Sequence, residues 1–262
     1  MDLYLNAGFG RPLPKGDLEW IKSLGFNGIR TDIIDPGLAP GVIKQLKRSG
    51  MKGLFVFGPN DSLPAYVLDA TRLAIDSGVN FAVELGNEVN LGSPDPGPYL
   101  NWVHSSLTPG VETYAGSIHA LVTEAIDWAS GVIPHLDPGI IPALHPYRTG
   151  SRGGEDLERF DEWKALSPGT PFGITEVGWH TAPRSREFPL CWFKERWTDE
   201  DVASFAVAEL AHWEAAGATC LNWYQLNDGI DPPNPEALFG IRRLDGTPKP
   251  VANSFRKPEI LV

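Results

Sequence analysis

Two glutamates of this 262-residue chain stand at the ends of short apolar segments with the character of buried strands. Glu88 follows the segment Phe81–Leu85, and Glu176 closes the segment that begins at Pro171. A glutamate at a strand end most often forms a salt bridge or a cap, so neither residue is informative alone. Two carboxyls that face each other can protonate a leaving oxygen and attack an anomeric carbon, which is the chemistry of glycoside hydrolysis.

A repeated pattern, a helical segment followed by a glycine and a short apolar run, predicts the elements that carry these glutamates. Successive glycines lie roughly 25 to 32 residues apart, with one gap of about 48, and the common spacing fits one strand–helix unit. A glycine at this place is typical of the left-handed turn that ends a helix. The glycines are Gly25, Gly50, Gly78, Gly110, Gly139, Gly169 and Gly217. The predicted strands are Leu3–Gly8, Phe26–Asp32, Lys52–Gly58, Asn80–Leu85, Val111–Ala115, Ile140–Tyr147, Pro171–Gly178 and Thr219–Leu226.

Amphipathic stretches between these strands have the apolar spacing of helices. They are Leu63–Ile75, Val122–Ala129, Leu157–Leu166 and Asp199–Ala216, the last preceded by a capping signal at Thr198. The strands carry continuous apolar runs, which indicates a parallel sheet covered by helices on both faces. Eight units in about 250 residues predict an α/β fold of the (β/α)₈ TIM barrel type, as one domain over residues 1–262. An open doubly wound sheet is the alternative, but no Gly-x-Gly-x-x-Gly turn follows the first strand.

The C-terminal ends of the strands are the reactive edge of such a barrel. The polar and aromatic residues predicted there, besides the two glutamates, are Arg30, Asn87, His145, Tyr147, Trp179, Trp223 and Tyr224. Alternation along a strand turns His145 and Tyr147 to the same side. Asn87 and Glu88 are neighbours, so they can share one site only at a bulge or beyond the strand end.

The combination of these strand ends resembles the clan A glycoside hydrolases, which are retaining β-glycosidase barrels. Asn87-Glu88, His145-x-Tyr147 and Thr175-Glu176 carry the resemblance, and the tail Leu238–Ile241 and Asp245–Pro250 is similar to the exit from their eighth strand. The segments Gly86–Val89 and Thr175–Trp179 resemble the β-1,3-glucanases locally, with Val89 where the related cellulases and mannanases have proline.

The resemblance implies that Glu88 is the acid/base and Glu176 the nucleophile. It further implies that Asn87 binds the sugar 2-hydroxyl, that Tyr147 holds Glu176, and that Arg30 keeps Glu176 ionised. A nearby cation should lower the pKa of a nucleophilic carboxyl, and the charge of Glu176 should raise the pKa of Glu88. We expect retention of configuration and carboxyls about 5–5.5 Å apart.

The remaining strand-end residues have simpler expectations. His145 is expected to be a neutral hydrogen-bonding wall, and Glu84, inside a strand, needs a partner such as Arg30. Exposed aromatic rings suit stacking on sugars, so Trp179 and either Trp223 or Tyr224 are expected to contact substrate. The insertions Leu91–Pro98 and Thr181–Trp197, the second containing Trp192, are further candidates for substrate contacts.

Composition excludes several other functions. A formal charge of −11 disfavours nucleic acid and polyanionic substrates, so the expected partner is a neutral oligo- or polysaccharide bound by a monomer. No stretch approaches ~20 apolar residues, so no membrane partner is expected. The six histidines lack common metal-site spacings, so neither metal nor other cofactor is expected. Cys191 and Cys220 are predicted to lie too far apart for a disulfide.

The start of the chain shows no secretory signal, which leaves a cytoplasmic protein or a secreted one whose leader is absent. Three functions remain at this point. The first is a retaining β-glycosidase, in particular an endo-acting β-glucanase. The second is a clan A enzyme acting on mannan, xylan, galactan or a small β-glycoside. The third is a carbohydrate-binding barrel without catalysis.

Overall fold

The barrel predicted from the sequence is confirmed. A computed structural model of the chain describes residues 1–8, 10–33, 37–58, 64–92, 96–147, 157–181, 197–230 and 235–256. Eight strands, all parallel to their neighbours, close into one barrel in chain order, with the last strand paired to the first. Helices between the strands cover the outside, which is why the strands need apolar residues on both faces.

The strands are β1 Asp2–Asn6, β2 Gly28–Asp32, β3 Lys52–Phe57, β4 Phe81–Leu85, β5 Glu112–His119, β6 Ile140–His145, β7 Gly173–Val177 and β8 Cys220–Trp223. The α-helices are α1 Asp17–Ser23, α2 Ala39–Ser49, α3 Pro64–Ser77, α4 Gly97–Ser106, α5 Thr123–Val132, α6 Leu157–Lys164 and α7 Asp199–Ala215. Short 3₁₀ helices lie at Val89–Leu91, Ile133–His135, Pro235–Leu238 and Pro250–Phe255. No helix in these ranges has the length and hydropathy that crossing a membrane requires.

The local signals at helix ends are confirmed in part: Gly25, Gly50, Gly78 and Gly217 lie within two residues of a helix end, whereas Gly110, Gly139 and Gly169 lie in turns four or more residues further on. All seven glycines that the repeat singled out have positive φ angles. Gly50, for example, has a φ of 67° and donates its N–H to the carbonyl of Leu46, which ends α2. At the start of α7, Thr198 accepts from the Asp201 N–H while Asp201 accepts from the Thr198 N–H.

The main departure from the predicted strands is β5. It continues to His119 rather than ending at Ala115, and its register against β6 shifts between Ala115 and Ile118. Gly116 lies inside this irregular stretch with a φ of 70°, a conformation that favours glycine. The longer strand brings Ser117 and His119 to the reactive end of the barrel, where the sequence pattern predicts no residue of this strand.

An apolar layer fills the N-terminal half of the barrel interior. It consists of Tyr4, Leu54, Ala82, Tyr114, Ala143 and Cys220, all essentially inaccessible to solvent. Cys220 is a free thiol there, and Cys191 lies outside the described residues. This layer closes the barrel from below, so a ligand can enter the interior only from the C-terminal end.

Candidate active site

A cavity of about 380 Å³ opens at the C-terminal end of the barrel. Its walls combine charged, amide and aromatic side chains, a lining that suits a polar ring. The lining residues are Asn6, Gly8, Arg30, Asp32, Val56, Gly58, Asn87, Glu88, His119, Tyr147, Glu176, Tyr224, Gln225 and Phe239. The structure thus brings both glutamates, Arg30, Asn87, Tyr147 and Tyr224 together in one cavity.

Glu176 stands near the end of β7 and is held by two donors. Arg30 Nη1 lies 2.5 Å from its Oε2, and the Tyr147 hydroxyl donates to its Oε1. Its chain neighbour Thr175 also faces the interior, where its hydroxyl lies 3.1 Å from His145 Nε2. Adjacent residues can share this site because the register of β7 against β8 is irregular between Ile174 and Val177.

Glu88 lies beyond the end of β4 rather than within it. β4 ends at Leu85, and Glu88 has a φ of 47°, so the alternation of a regular strand no longer applies. Its N–H donates to Ser117 Oγ at 3.1 Å, and Ser117 Oγ donates to the Gly86 carbonyl at 3.1 Å. The requirement for a bulge or strand end between Asn87 and Glu88 is therefore met by a strand end supported from β5.

The two glutamate side chains face each other closely. One carboxylate oxygen of Glu88, one of Glu176 and a ring nitrogen of His145 all lie within 4.8 Å of one another. The Glu176 side chain is 10% exposed, whereas the Glu88 side chain is 19% exposed and borders the cavity mouth. A sugar entering from solvent can thus contact both carboxyls at once.

A buried chain of alternating charges connects the two glutamates underneath the cavity. Arg30, which contacts Glu176, also donates through Nε to Glu84 Oε2 at 2.7 Å. Glu84 Oε1 lies 3.2 Å from His145 Nε2, and His145 Nδ1 lies 3.3 Å from Glu88 Oε1. Arg30, Glu84 and His145 are each at most 2% exposed. Arg30 is the partner of Glu84, as expected, and this chain fixes both carboxyls relative to each other.

Asn87 joins the same network from the other side of Arg30. Its Oδ1 accepts a hydrogen bond from Arg30 Nη2 at 2.7 Å. All three donor groups of the guanidinium are therefore occupied, by Glu84, Glu176 and Asn87. A guanidinium held at three points keeps a fixed orientation, which in turn orients Glu176.

The expectation of a neutral His145 is wrong in this environment. Burial lowers the pKa of His145, but the charge of Glu176 and the bonds to Glu84 and Glu88 outweigh it and raise the pKa to about 9. His145 is therefore an imidazolium at neutral pH. Burial likewise raises the pKa of Glu84, but Arg30 and His145 overcome it and hold that pKa at about 2. The two groups form an ion pair in the barrel interior.

The expected rise in the pKa of Glu88 is also not found. Burial raises its pKa, but the hydrogen bond and positive charge of His145, with smaller contributions from His119 and Arg30, outweigh burial and lower it. The reason is the nearby imidazolium of His145, a residue expected from the sequence to be neutral. In the unliganded protein the proton of this pair is on His145.

The tyrosine beside Glu176 is a permanent donor. Burial, followed by the charge of Glu176 and the hydrogen bond to it, raises the pKa of the Tyr147 hydroxyl well above its ordinary value. Tyr147 therefore stays protonated over the whole working range. Its ring packs edge-on against Phe239 at 5.9 Å, which fixes the hydroxyl in place.

The structure separates the aromatic candidates. Tyr224 lines the cavity and packs edge-on against Phe239. The prediction that Trp223 stacks on sugar is wrong, because its side chain is fully buried against Phe255 in the layer between barrel and helices. Trp223 is the last residue of β8 and Tyr224 follows it directly, so their side chains leave the chain on opposite sides and only Tyr224 reaches the cavity.

The prediction that Trp179 contacts substrate is also wrong. It is 6% exposed and packs against Trp197 at 5.7 Å and Phe205 at 4.6 Å, so it belongs to the apolar core beside α7. Residues 182–196, which include Trp192, lie outside the described residues, as do residues 93–95 of the other insertion.

Several cavity residues were missed by sequence reasoning: Asn6, Asp32, His119, Gln225 and Phe239. Asp32 carried a usable signal, since it stands two positions after Arg30 in β2 and must point to the same side. His119 carried no such signal, because its strand was predicted to end four residues earlier, at Ala115.

Glu88, His145 and Glu176 also have donor atoms close enough for one metal ion. Their possible ligand atoms are already engaged within the protein: the Glu88 carboxylate by His145, the His145 ring by Glu84 and Glu88, and the Glu176 carboxylate by Arg30 and Tyr147. A divalent cation among them would stand beside both Arg30 and the imidazolium of His145, which opposes its binding. This donor set fits a proton relay better than a metal.

Comparison with known proteins identifies the fold class. No protein-family model matches the sequence, and no curated protein matches it. Among solved structures, a family 39 glycoside hydrolase from the gut symbiont Bacteroides cellulosilyticus WH2 matches with a TM-score of 0.64 and 20% identity. The match covers 97% of this chain, which spans 63% of the length of that protein.

Two further solved structures match over nearly their whole length. The GH53 catalytic domain of Ignisphaera aggregans has a TM-score of 0.71 at 12% identity, over 96% of this chain and 95% of that one. A GH10 endoxylanase retrieved from a sugarcane soil metagenome has a TM-score of 0.63 at 10% identity, over 97% and 96% respectively. At identities this low the likeness shows the fold alone, which is a barrel of the kind found in these glycoside hydrolases.

Proposed function

We propose that this protein is a retaining glycoside hydrolase that cleaves β-linked glycans by double displacement, with Glu176 as nucleophile and Glu88 as acid/base. The observation that carries the proposal is the pair of carboxyls on opposite sides of one open cavity, with reactive oxygens within 4.8 Å. This spacing suits direct attack by a carboxylate and leaves no room for the intervening water of an inverting enzyme.

In the first step Glu176 attacks the anomeric carbon. A C–O bond forms to the carboxylate while the glycosidic C–O bond breaks, and the departing oxygen takes a proton from Glu88. Arg30 and Tyr147 orient the attacking carboxylate through their bonds to its two oxygens. Asn87, held by Arg30 at the cavity wall, is the residue we assign to the sugar 2-hydroxyl.

The proton for the leaving group comes from His145. The His145 Nδ1 atom is 3.3 Å from Glu88 Oε1, and the raised pKa of His145 means that it holds the proton in the unliganded protein. A bound sugar removes water from Glu88, which disfavours its charged form and draws the proton across this contact. Glu88 then passes it to the departing oxygen, leaving His145 neutral.

The second step reverses these transfers. Water attacks the anomeric carbon from the side of Glu88 and gives its proton to the Glu88 carboxylate, and the bond to Glu176 breaks. Glu88 passes the proton back to His145, which regains its stabilising negative neighbour once Glu176 is again a carboxylate. Two displacements on the same carbon give a product with the configuration of the substrate.

For the substrate we propose a neutral β-glucan cleaved internally. The resemblance of Gly86–Val89 and Thr175–Trp179 to the β-1,3-glucanases favours glucan, and the cavity opens directly to solvent. Digestion of a polysaccharide panel tests this assignment. Early release of products of mixed length supports it, whereas steady release of a single small sugar indicates attack from chain ends.

Glu176→Gln and Glu88→Gln test the mechanism, with Glu124→Gln on the exposed surface of α5 as the control. We expect Glu176→Gln to lower kcat by about 10³-fold or more while oligosaccharide binding, measured by calorimetry, is kept. Glu124→Gln should retain full activity. Hydrolysis by Glu176→Gln at the wild-type rate contradicts the proposal, whereas sugar binding without hydrolysis by wild type favours a carbohydrate-binding barrel.

Stereochemistry provides an independent test. Proton NMR of the first product should show the β-anomer, followed by slow mutarotation. With Glu88→Ala, added azide should restore turnover of an activated aryl glycoside and yield a β-glycosyl azide, because azide needs no base to attack the intermediate. Initial release of the α-anomer contradicts the retaining mechanism.

A further inference from the structure

One carboxylate in the cavity has no part in the mechanism above. Asp32 ends β2, two residues after Arg30, and its side chain lines the cavity beside Glu88 and Glu176. It is partly buried, and it forms no hydrogen bond or ion pair with any residue that the structure describes. Burial, and then the charges of Glu84 and Glu176, raise the pKa of Asp32 against the lowering effect of Arg30. A partly buried acceptor without a protein partner is suited to a ligand's donors.

The wall beside Asp32 has room for a sugar ring. Gly8 and Gly58, which follow β1 and β3 on either side of β2, both line the cavity. A Cβ atom built on either glycine meets no other atom of the described residues within 4 Å, so those residues leave space over both backbones. Asn6 adds an amide to the same wall. A ring lying over the two glycines would place its hydroxyls toward Asp32.

The charges of the cavity favour a neutral ring there. Arg30 is the only arginine or lysine among the described residues that line the cavity, and each of its three nitrogens already donates, to Glu84, Glu176 and Asn87 respectively. No other arginine or lysine of the described lining is left to bind a carboxylate of the substrate. Asp32 instead adds negative charge at this wall, which repels an acidic sugar and accepts from neutral hydroxyls.

We propose that Asp32 determines the sugar class: its carboxylate accepts hydrogen bonds from two adjacent hydroxyls of a neutral pyranose and excludes uronic acid rings. This inference rests on the proposed function, since it concerns the ring bound in the same cavity. Two acceptor oxygens match two vicinal hydroxyls, and each charge-assisted bond strengthens the preference for the neutral sugar. Specificity here arises from attraction of one class and repulsion of the other.

The test compares Asp32→Asn with wild type on 4-nitrophenyl β-glycosides of glucose, galactose, mannose and glucuronic acid. We expect kcat/KM for the preferred neutral glycoside to fall about tenfold or more, and the glucuronide-to-neutral ratio to rise at least tenfold. Calorimetry with a neutral and a uronate-containing trisaccharide measures the same selectivity without turnover. Asp127 is an exposed aspartate on α5, so Asp127→Asn removes the same charge elsewhere. It should change neither kcat/KM nor the glucuronide-to-neutral ratio.

Asp32→Glu provides a second variant that keeps the charge but displaces it. Asp32→Glu should weaken binding of the neutral sugar while still excluding the uronate. Substitution of a merely structural residue would not produce this combination. Selectivity unchanged within twofold in folded Asp32→Asn overturns the inference. If wild type binds sugars without hydrolysing them, the proposed hydrolysis fails and the calorimetric ratio alone decides the role of Asp32. Absence of sugar binding by wild type overturns both.

Discussion

The two halves of the barrel interior, only two residues apart along each strand, are filled with opposite chemistry. The lower layer contains Gly28 on β2, Ala82 on β4, Ala143 on β6 and Cys220 on β8. Two positions further along the same strands, on the same face, stand Arg30, Glu84, His145 and Asn222. Each of these strands thus changes from a small residue to a polar one at the level where the cavity begins.

The lower half is held by shape. Tyr4 and Tyr114 fill the space that small residues leave, and a Cβ atom on Gly28 would lie 2.4 Å from the ring of Tyr4. Gly173 has the same relation to Tyr114. Close packing of this kind stabilises through contact and burial, so it should respond to changes of volume and hardly to changes of pH.

The upper half is held by charge. Its buried ion pairs contribute little net stability, because desolvation offsets most of their attraction, but removing one member leaves an uncompensated charge. The same arrangement fixes the two candidate catalytic carboxyls and stores a proton next to one of them. The comparison therefore predicts that substitutions in the upper half of the barrel interior affect charge and activity. Substitutions in the lower half should affect packing alone.

Arg30→Met should have the largest effect. It leaves Glu84 and Glu176 without their shared cation in the interior, which costs about 3–5 kcal/mol of unfolding free energy. Activity should be lost as well, because Glu176 is no longer oriented. Chemical denaturation measures the first effect. Arg48→Met, on the exposed side of α2, is the control and should cost less than about 0.5 kcal/mol.

His145→Gln should reveal the stored proton through pH. The raised pKa of about 9 for His145, against 6.5 when unfolded, contributes roughly 3 kcal/mol of stability, fully present below pH 6.5 and lost as pH rises through about 9. The stability difference between wild type and His145→Gln should therefore shrink over this range. A constant difference from pH 6 to 10 would show that His145 is neutral when folded.

The same variant should change the pH dependence of activity. In wild type, kcat/KM should fall as pH rises through about 9, because the proton shared by His145 and Glu88 is then lost. In His145→Gln the basic limb should move to lower pH by more than one unit, since Glu88 then holds its proton alone. A basic limb at the same pH in both proteins would show that His145 does not supply the proton of Glu88.

Gly28→Ala should have the smallest effect and the opposite pattern. The added methyl group meets the ring of Tyr4 and the carbonyl of Lys52, so repacking should cost about 1–3 kcal/mol, measured by denaturation at any pH between 6 and 9. Activity per folded molecule should remain. Gly131→Ala on α5, where a Cβ atom meets nothing, should instead stabilise by up to about 1 kcal/mol. Loss of catalysis in Gly28→Ala would show that the two halves are not independent.

Much of the fold could be predicted because its signals are local. The positive-φ glycines that precede the strands, the cap at Thr198 and the apolar runs of the strands each depend on residues adjacent in sequence. The placement of Glu88 and Glu176 at one rim followed from the same information, since all strand ends of a parallel barrel meet there. Proximity of Arg30 to Glu84 could be inferred from the need to pair a buried charge.

The sequence by itself thus determined the barrel, the edge that carries the candidate site, and the two carboxyls that meet across it. Tertiary structure alone decided that Tyr224 rather than Trp223 faces the cavity, that His119 joins its wall, and that His145 is charged. These properties depend on strand register and on contacts between residues far apart in the chain. A pKa in particular sums burial and all nearby charges, and no spacing along one strand encodes that sum.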